Sequence, residues 1–235
     1  MTHGNLVEIK NLTKSYGSKV VLEDISLTMP AGKIVGLMGP NGSGKTSLMK
    51  ILTGMINDYS GEVLIDGQPV GPHTKALVAY LPDRNFLPPW MSCKQAIGYF
   101  GDFYANFDKA KALRMLEAFQ LDPGQRIKTM SKGMQEKLVL LLVMCRAAEF
   151  YVLDEPLGGV DPSARQFIMD TILGNRPEGS TILLSTHMIY DMERVFDVAL
   201  MIGRKKVLVN DSVANLEAQG KTLDGLFKEV FPYVY

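Results

Sequence analysis

The residues best suited to chemistry form a glycine-rich segment, which runs from Gly39 to Thr46 with the sequence GPNGSGKT. This segment matches the phosphate-binding pattern G-x-x-x-x-G-K-[ST] at every position. An apolar run at 34–38 precedes it and predicts a short strand, whereas residues 47–52 after it predict a helix. Backbone N–H groups at the start of a helix, together with the helix dipole, attract anions. The segment therefore predicts a site for a triphosphate.

The side chains of this segment have separate roles in such a site. We expect Lys45 to neutralise the outer phosphates and the hydroxyl of Thr46 to hold Mg²⁺. The other predicted nucleotide contacts in and beside the loop are Gly39, Asn41, Gly42, Ser43, Gly44 and Ser47.

A second candidate group lies where an apolar strand predicted at 150–153 ends in two carboxylates, Asp154 and Glu155. Neighbouring side chains of a strand point to opposite faces, so one carboxylate could face Mg²⁺ and the other a water molecule beyond the terminal phosphate. We expect Asp154 to bind the metal and Glu155 to act as the general base. Taken alone, an ordinary strand end with acidic residues is the simpler interpretation, but the phosphate-binding pattern in the same chain favours the functional one.

Two further segments carry candidate phosphate ligands. Ser131 is a natural helix N-cap, and Gly133 would let a phosphate approach the backbone; plain helix capping is the alternative interpretation. His187 follows an apolar strand and would lie near the edge at which α/β sheets bind ligands. A single histidine more often has a purely structural role, so this assignment depends on the other motifs.

The elements that must position these residues predict an α/β fold. Residues 1–90 are rich in strand signals, 91–147 have a helical pattern, and 148–202 alternate strand and helix. Continuous apolar runs such as 181–184 are typical of a buried parallel sheet. We therefore expect a single domain over 1–235, in which a helical subdomain at 91–147 interrupts a nucleotide-binding core formed by 1–90 and 148–235.

Composition narrows the class of protein. The chain has 235 residues with 25 basic and 25 acidic side chains, and the balanced charge argues against a nucleic-acid partner. The two cysteines are too few for a disulfide framework and fit a reducing compartment. The N-terminus carries no apolar signal, and the longest apolar run, 138–145, is too short to span a bilayer. We expect a protein that is soluble when isolated and reaches a membrane through another chain.

In this order and spacing, the motifs resemble those of the ATP-binding cassette (ABC) superfamily, the nucleotide-binding subunits of ABC transporters, over essentially the whole chain. The resemblance assigns Walker A to 39–46, Walker B to 150–155, the ABC signature to 130–134, the D-loop to 158–161 and the switch histidine to His187. It implies a P-loop NTPase core with a mixed or parallel sheet, an N-terminal antiparallel β subdomain and an inserted α-helical subdomain.

The resemblance also implies roles for residues outside the main motifs, and it exposes two departures. Tyr16 lies where the family stacks an aromatic ring on adenine, and Asp161 would communicate across a dimer. The usual signature is Leu-Ser-Gly-Gly-Gln, but Lys132 replaces its first glycine and Met134 its glutamine. The glutamine of the Q-loop is here Asp83. A carboxylate there could still bind Mg²⁺, directly or through water, but cannot donate an amide hydrogen bond.

The function implied by the resemblance is ATP hydrolysis that drives transport. Two subunits, as a homodimer or a heterodimer with a second ABC ATPase, would enclose two ATP molecules between the phosphate loop of one and the Ser131 helix of the other. Separate integral membrane subunits at the cytoplasmic face of the cell membrane would carry the substrate, and we favour export. The segment 86–91, which contains the only tryptophan, Trp90, either contacts such a subunit or packs in the helical core.

Three other functions stay open at this stage. A soluble single-cassette ABC ATPase could serve cofactor assembly or another non-transport role. A P-loop kinase or GTPase would share the phosphate loop, although the chain lacks the N-K-x-D guanine motif. A nucleotide-gated adaptor with negligible turnover is compatible with the altered signature. The C-terminal segment, 212–235, predicts one or two short helices that pack or form a small interface.

Overall fold

The structure, a computed structural model, describes residues 4–158, 160–187 and 189–232. Outside these ranges lie Gly159 of the predicted D-loop, the first three residues and the last three residues of the chain. In chain order the elements are β1 (Asn5–Tyr16), β2 (Lys19–Pro30), β3 (Ile34–Met38), α1 (Lys45–Leu52), β4 (Ser60–Ile65), β5 (Gln68–Pro69), α2 (Pro72–Leu77), β6 (Val78–Leu81), α3 (Cys93–Phe103), α4 (Lys109–Ala118), α5 (Lys132–Met144), β7 (Phe150–Asp154), α6 (Pro162–Asn175), β8 (Thr181–Ser185), α7 (Ile189–Met192), β9 (Val198–Gly203), β10 (Lys206–Ser212), α8 (Val213–Ala218) and α9 (Leu223–Val230).

The first sheet is antiparallel throughout and has the strand order β2-β1-β4-β5. Its two long strands, β1 and β2, come from the segment that the sequence marks as strand-rich. The dipeptide Asp66–Gly67, a typical hairpin sequence, joins β4 to β5, and both residues have a positive φ, as a tight hairpin requires. This sheet covers one face of the second sheet.

The second sheet sets the position of every candidate catalytic group. Its strand order is β10-β9-β3-β8-β7-β6, and each pair except β9–β10 is parallel. Consequently the carboxyl ends of β3, β8 and β7 are neighbours along one edge. Every residue of these three strands is buried, which explains their continuous apolar sequences.

Side chains from this sheet enter two hydrophobic cores. Along β7, Phe150 and Val152 pack toward the antiparallel sheet and α1, whereas Tyr151 and Leu153 pack toward the inserted helices. This alternation follows from the two-residue period of a strand. A sheet that is covered on both faces holds its strand ends rigidly, as a precise binding site requires.

The helices α3, α4 and α5 lie between β6 and β7 in the chain, and Arg146 ties them to the sheet. Its side chain is buried, and its guanidinium donates hydrogen bonds to the carbonyl oxygens of Val78 and Ala76 and to the side chain of Asn106. The same group lies 3.9 Å from the ring centroid of Tyr104. Breaking this buried network would uncouple the helical subdomain from the core.

The observed architecture confirms the α/β fold class expected from the sequence, with its N-terminal antiparallel sheet and inserted helices. The predicted N-cap Ser131 accepts a hydrogen bond from the Met134 N–H, and Asp108 caps α4 in the same way by accepting one from the Lys111 N–H. Of the helices in the described ranges, none combines the length and apolar character needed to cross a bilayer.

Candidate functional site

The glycine-rich loop between β3 and α1 has a backbone conformation that a side chain would not allow at two of its positions. Gly39 has φ of 154°, and a Cβ atom there would lie 2.1 Å from the carbonyl oxygen of Ile202. Gly44, the N-cap of α1, has φ of 106°, and a Cβ atom there would lie 2.6 Å from Leu22. Both positions therefore require glycine. The loop turns directly into α1, which begins at Lys45 rather than at Ser47.

Lys45 is buried beneath this loop. Its Nζ donates hydrogen bonds to the carbonyl oxygens of Gly39, at 2.7 Å, and of Pro40, at 3.3 Å. Burial lowers the pKa of the Lys45 ammonium, while the nearby carboxylates of Glu155 and Asp154 act in the opposite direction. A triphosphate in the loop would offer this ammonium a charged acceptor in place of two neutral carbonyls.

Two buried side-chain oxygens have no hydrogen-bond partner within the described ranges, Ser43 Oγ and Asp154 Oδ2, and both residues line the same cleft. A buried polar atom left without a partner is costly, so such atoms mark places where a ligand binds. Asp154 is 2 % exposed, and its second oxygen, Oδ1, accepts a hydrogen bond from the Ser185 hydroxyl at 2.7 Å. The unpartnered carboxylate oxygen suits Mg²⁺, which prefers oxygen ligands.

Glu155 follows Asp154 directly, but the backbone there differs from the strand that the sequence predicted. Strand alternation was expected to separate the two acids, whereas β7 ends at Asp154 and Glu155 adopts a φ of 49°, which turns the chain. Its N–H donates to Ser185 Oγ at 2.9 Å, and its Oε2 lies 2.8 Å from Nδ1 of His187. Unusual backbone conformations of this kind collect at functional sites.

Ser185 is a functional candidate that the sequence reasoning missed. Its hydroxyl donates to Asp154 and accepts from the Glu155 N–H, so a single side chain fixes both acids. Its position is the last residue of β8, beside β7 in the parallel sheet. The sequence does contain one indication of this role: Ser185 lies at the carboxyl end of an apolar strand, two residues before His187.

One cleft of about 960 Å³ gathers most of the predicted site residues. It is lined by 39–47, Asp83, Asp154, Glu155 and His187, which come from the ends of four neighbouring elements. A volume of this order is typical of sites for small molecules and cofactors. Loops after β3, β6, β7 and β8 meet here because those strands are parallel.

Tyr16 lies beside the cleft. Its side chain is 49 % exposed, and its hydroxyl is 3.4 Å from Ser47 Oγ. The ammonium of Lys14 lies 4.6 Å from the ring centroid and is held by Asp58 at 3.0 Å. This buried lysine, which the sequence analysis did not single out, supports the ring through a cation–π contact. The ring is thereby fixed in a position from which it could stack on a base.

Besides Tyr16, three predicted residues do not line the cleft: Ser131, Gly133 and Asp161. Ser131 and Gly133 are exposed at the start of α5, and a Cβ atom at Gly133 would meet nothing within 4 Å. Asp161 is exposed immediately before α6. Within one copy of the chain these residues are therefore not part of the wall of the cleft.

The C-terminal helix α9 adds a wall to the cleft that the sequence did not predict. Asp224 and Phe227 line the cavity, next to Ile189 at the start of α7. The Leu223 N–H donates to the Glu193 side chain, and this bond holds the start of α9 close to the segment after His187. The C-terminal segment was expected only to pack or to form a small interface.

The chain is similar to known proteins in both sequence and fold. Residues 22–158 match the family model described as "ABC transporter". The chain is 30% identical to the manganese transport system ATP-binding protein MntB of Bacillus subtilis, over 93% of this chain and 92% of that protein. It is 29% identical to the Nod factor export ATP-binding protein I of Bradyrhizobium diazoefficiens, over 97% and 80%. A solved ATP binding subunit of an ABC transporter superimposes with a TM-score of 0.86, at 27% identity and over 96% and 99% of the two chains.

Replacement of Tyr16 tests the stacking role. We expect Tyr16→Ala to weaken ATP binding about tenfold, because stacking of a base on an aromatic ring contributes roughly 1–3 kcal/mol, and to leave hydrolysis at saturating ATP intact. Tyr16→Phe is the matched control, since it keeps the ring and removes only the long contact with Ser47. Calorimetric titration with ATP measures both, and an unchanged affinity of the alanine variant would refute the assignment.

Proposed function

Since this chain belongs to the ABC transporter family as an ATP-binding ATPase subunit, we propose that it dimerises around two ATP molecules and drives transport through separate membrane subunits. The observation that carries this proposal is the division of the site. The proposed phosphate ligands at 39–47 line a cleft of one copy, whereas Ser131 and Gly133, at the start of α5, are exposed and do not line that cleft.

The electrostatics of two helix N-termini supports the proposed ATP-dependent dimer. The N-terminus of α1 meets the phosphate loop within one copy, and the N-terminus of α5 is open to a partner. Each helix start carries a partial positive charge of about half an elementary charge and several unpaired N–H groups. Bringing both to one triphosphate stabilises the dimer only while ATP is present. An arrangement with two-fold symmetry uses the same surfaces twice, so a second copy or a related ABC ATPase satisfies it.

We propose that Glu155 is the general base. Its carboxylate lies 2.8 Å from His187, and the Ser185 hydroxyl fixes its backbone. Glu155 would orient and deprotonate a water molecule, while His187 would contact the terminal phosphate and respond to its loss. Lys45 would neutralise charge that develops on the phosphate, and Asp161 would contact the partner subunit. Hydrolysis of this kind depends mainly on positioning and charge stabilisation.

Mg²⁺ fits the oxygen ligands of the cleft. We propose that the Thr46 hydroxyl, Asp154 Oδ2 and Asp83 hold it, since all three residues line the cleft and Asp154 Oδ2 is buried without a partner. When bound, the ion would neutralise charge on the outer phosphates.

We propose that exposed aromatic side chains of the 86–90 segment and of α3 form a surface that contacts the membrane subunits. Phe86, Trp90, Tyr99 and Phe103 are 47 %, 61 %, 47 % and 69 % exposed, and the rings of Tyr99 and Phe103 lie 5.1 Å apart. Exposed apolar patches of this kind are typical of interaction sites. The surface follows Asp83 in the chain, so a contact there is connected to the nucleotide cleft. The alternative of a purely structural Trp90 conflicts with its exposure.

The domain bounds, the location and the direction of transport are further proposals. We place the core at 1–90 and 148–235 and the helical subdomain at 91–147, within one domain. We locate the protein at the cytoplasmic face of the membrane, attached through its partner. For direction we favour export, as in the name of the Nod factor relative. A non-transport ABC ATPase is the second candidate, and the aromatic surface argues against it because such a protein needs no membrane partner.

Replacement of Glu155 tests the base and the dimer together. We expect Glu155→Gln to lower the rate of ATP hydrolysis by at least about a hundredfold, the usual contribution of a general base. Because ATP would bind but persist, light scattering should detect a dimer with ATP and a monomer without it.

The control for that dimer is Glu155→Gln combined with Gly133→Asp. A Cβ atom at Gly133 meets no atom within 4 Å, and an acid at a helix start favours the helix, so folding should be preserved. Its negative charge would repel the partner's ATP, and we expect a monomer. A dimer that persists in this double variant, or wild-type hydrolysis by Glu155→Gln, would contradict the proposal.

Membrane attachment is tested by replacement of the aromatic surface. We expect Trp90→Ala with Phe103→Ala to abolish cosedimentation with membranes that contain the transporter subunits, and to leave ATP affinity unchanged. Met55→Ala is the matched control, because Met55 is 62 % exposed but lies outside this surface. Equal cosedimentation of all variants would exclude the surface as the contact.

A further inference from the structure

The side chain of Gln135, one turn into α5, uses both its donors and its acceptor in hydrogen bonds. Its Nε2 donates to the carbonyl oxygens of Ile127 and Met130, each at 3.2 Å. Its Oε1 accepts a hydrogen bond from the side-chain amide of Asn85 at 2.7 Å. The partners belong to two other segments, the loop after β6 and the turn at 127–130 that precedes α5. One side chain therefore joins both segments to the start of its own helix.

Asn85 extends this contact to the aromatic segment at 86–91. Its Oδ1 accepts a hydrogen bond from the Leu87 N–H at 2.8 Å, so the amide that reaches Gln135 also fixes the backbone of the segment. Leu87 is buried and anchors the segment in the core, whereas the side chains of Phe86 and Trp90 are exposed. Asn85 thus links α5 to the part of the chain that presents the proposed membrane contact.

Backbone hydrogen bonds fix the turn at 127–130 to the same aromatic segment. The Ile127 N–H donates to the carbonyl oxygen of Met91, and the Lys128 N–H donates to that of Pro89, both at 2.9 Å. The segment thus holds the turn on one side, and the side-chain amide of α5 holds it on the other. These residues all lie within the described ranges, and none of them lines the nucleotide cleft. Consecutive hydrogen bonds therefore connect the aromatic segment to the start of α5 by a route outside that cleft.

We propose that Gln135 is a positioning residue that makes the aromatic segment and the start of α5 move together when two copies close around ATP. It acts through the carbonyl oxygens of Ile127 and Met130 and through the amide of Asn85, not by contact with the nucleotide. Without its amide, those partners lose their shared connection to α5, and the segment can shift independently of Ser131. This inference rests on the proposed function, because the start of α5 meets ATP only in the proposed dimer.

Trp90 can report this coupling, because it is the only tryptophan of the chain and lies in the aromatic segment. In the full chain with Glu155→Gln, we expect MgATP to change the fluorescence emission of Trp90 as the dimer forms. Gln135→Met keeps the length of the side chain and removes its hydrogen bonds. Compared at an equal fraction of dimer by light scattering, we expect it to reduce the emission change at least about fivefold. The affinity for ATP in calorimetric titration should stay within about twofold, since Gln135 lies outside the cleft.

Asn85→Asp breaks the same connection from its other end. It keeps an oxygen for the Leu87 N–H and removes the amide donor to Gln135, so we expect a similar loss of the emission change. Gln68→Met is the matched control, because Gln68 is exposed in β5 of the antiparallel sheet, and it should leave the emission change intact.

Three outcomes would overturn the coupling and leave the proposed dimer standing. They are an equal emission change with and without Gln135→Met, an ATP-dependent dimer of the Glu155→Gln chain without any change in Trp90 emission, and a Gln135→Met variant that binds ATP but no longer dimerises. The last result would limit the role of Gln135 to the start of α5 itself. Failure of the Glu155→Gln chain to dimerise with ATP would instead reject the proposed function, and the coupling with it.

Discussion

The parallel alignment of β3, β8 and β7 is the constraint on which the rest of the structure depends. It brings the phosphate loop, Ser185, Asp154 and Glu155 to one edge of a sheet that is buried on both faces. There two buried oxygens, Ser43 Oγ and Asp154 Oδ2, have no hydrogen-bond partner among the residues that the structure describes. Leaving these oxygens unpartnered is unfavourable by itself, and the packing of the sheet offsets this cost. The rigid strand ends prevent the two oxygens from moving to form hydrogen bonds with neighbouring groups.

In the proposed mechanism the site is incomplete within one copy. The cleft would supply Lys45 and backbone N–H groups to one side of a triphosphate, while the second helix start, at Ser131, is exposed and outside the cleft. The asymmetry explains how ATP could control association: the ligand contributes the negative charge that both helix starts need. It also connects the aromatic surface to the chemistry, since the loop that begins at Asp83 reaches the cleft, the start of α5 and the exposed Trp90.

The sequence was sufficient for the fold class and for most of the residues that line the cleft. Glycine spacing, apolar strands and the caps at Asp108 and Ser131 are local signals, and the structure agrees with them. The contacts that cross the fold could not be predicted. Ser185 acquires its role from the neighbouring strand, the left-handed φ of Glu155 depends on the turn after β7, and the wall formed by α9 depends on long-range packing. Such features are set by tertiary structure, which a pattern along the chain does not encode.

The central claim, that one ATP is held by the loop of one copy and the Ser131 helix start of another, is tested most directly by cysteine cross-linking. Asn41→Cys and Ser131→Cys would place thiols on the two exposed sides. Background reaction should be low because Cys93 and Cys145 are buried, and burial raises the pKa of their thiols to about 11 and about 12. In the Glu155→Gln background we expect a covalent dimer that forms with ATP and not without nucleotide. Cross-linking that is absent with ATP, or that is equal without it, would contradict the account.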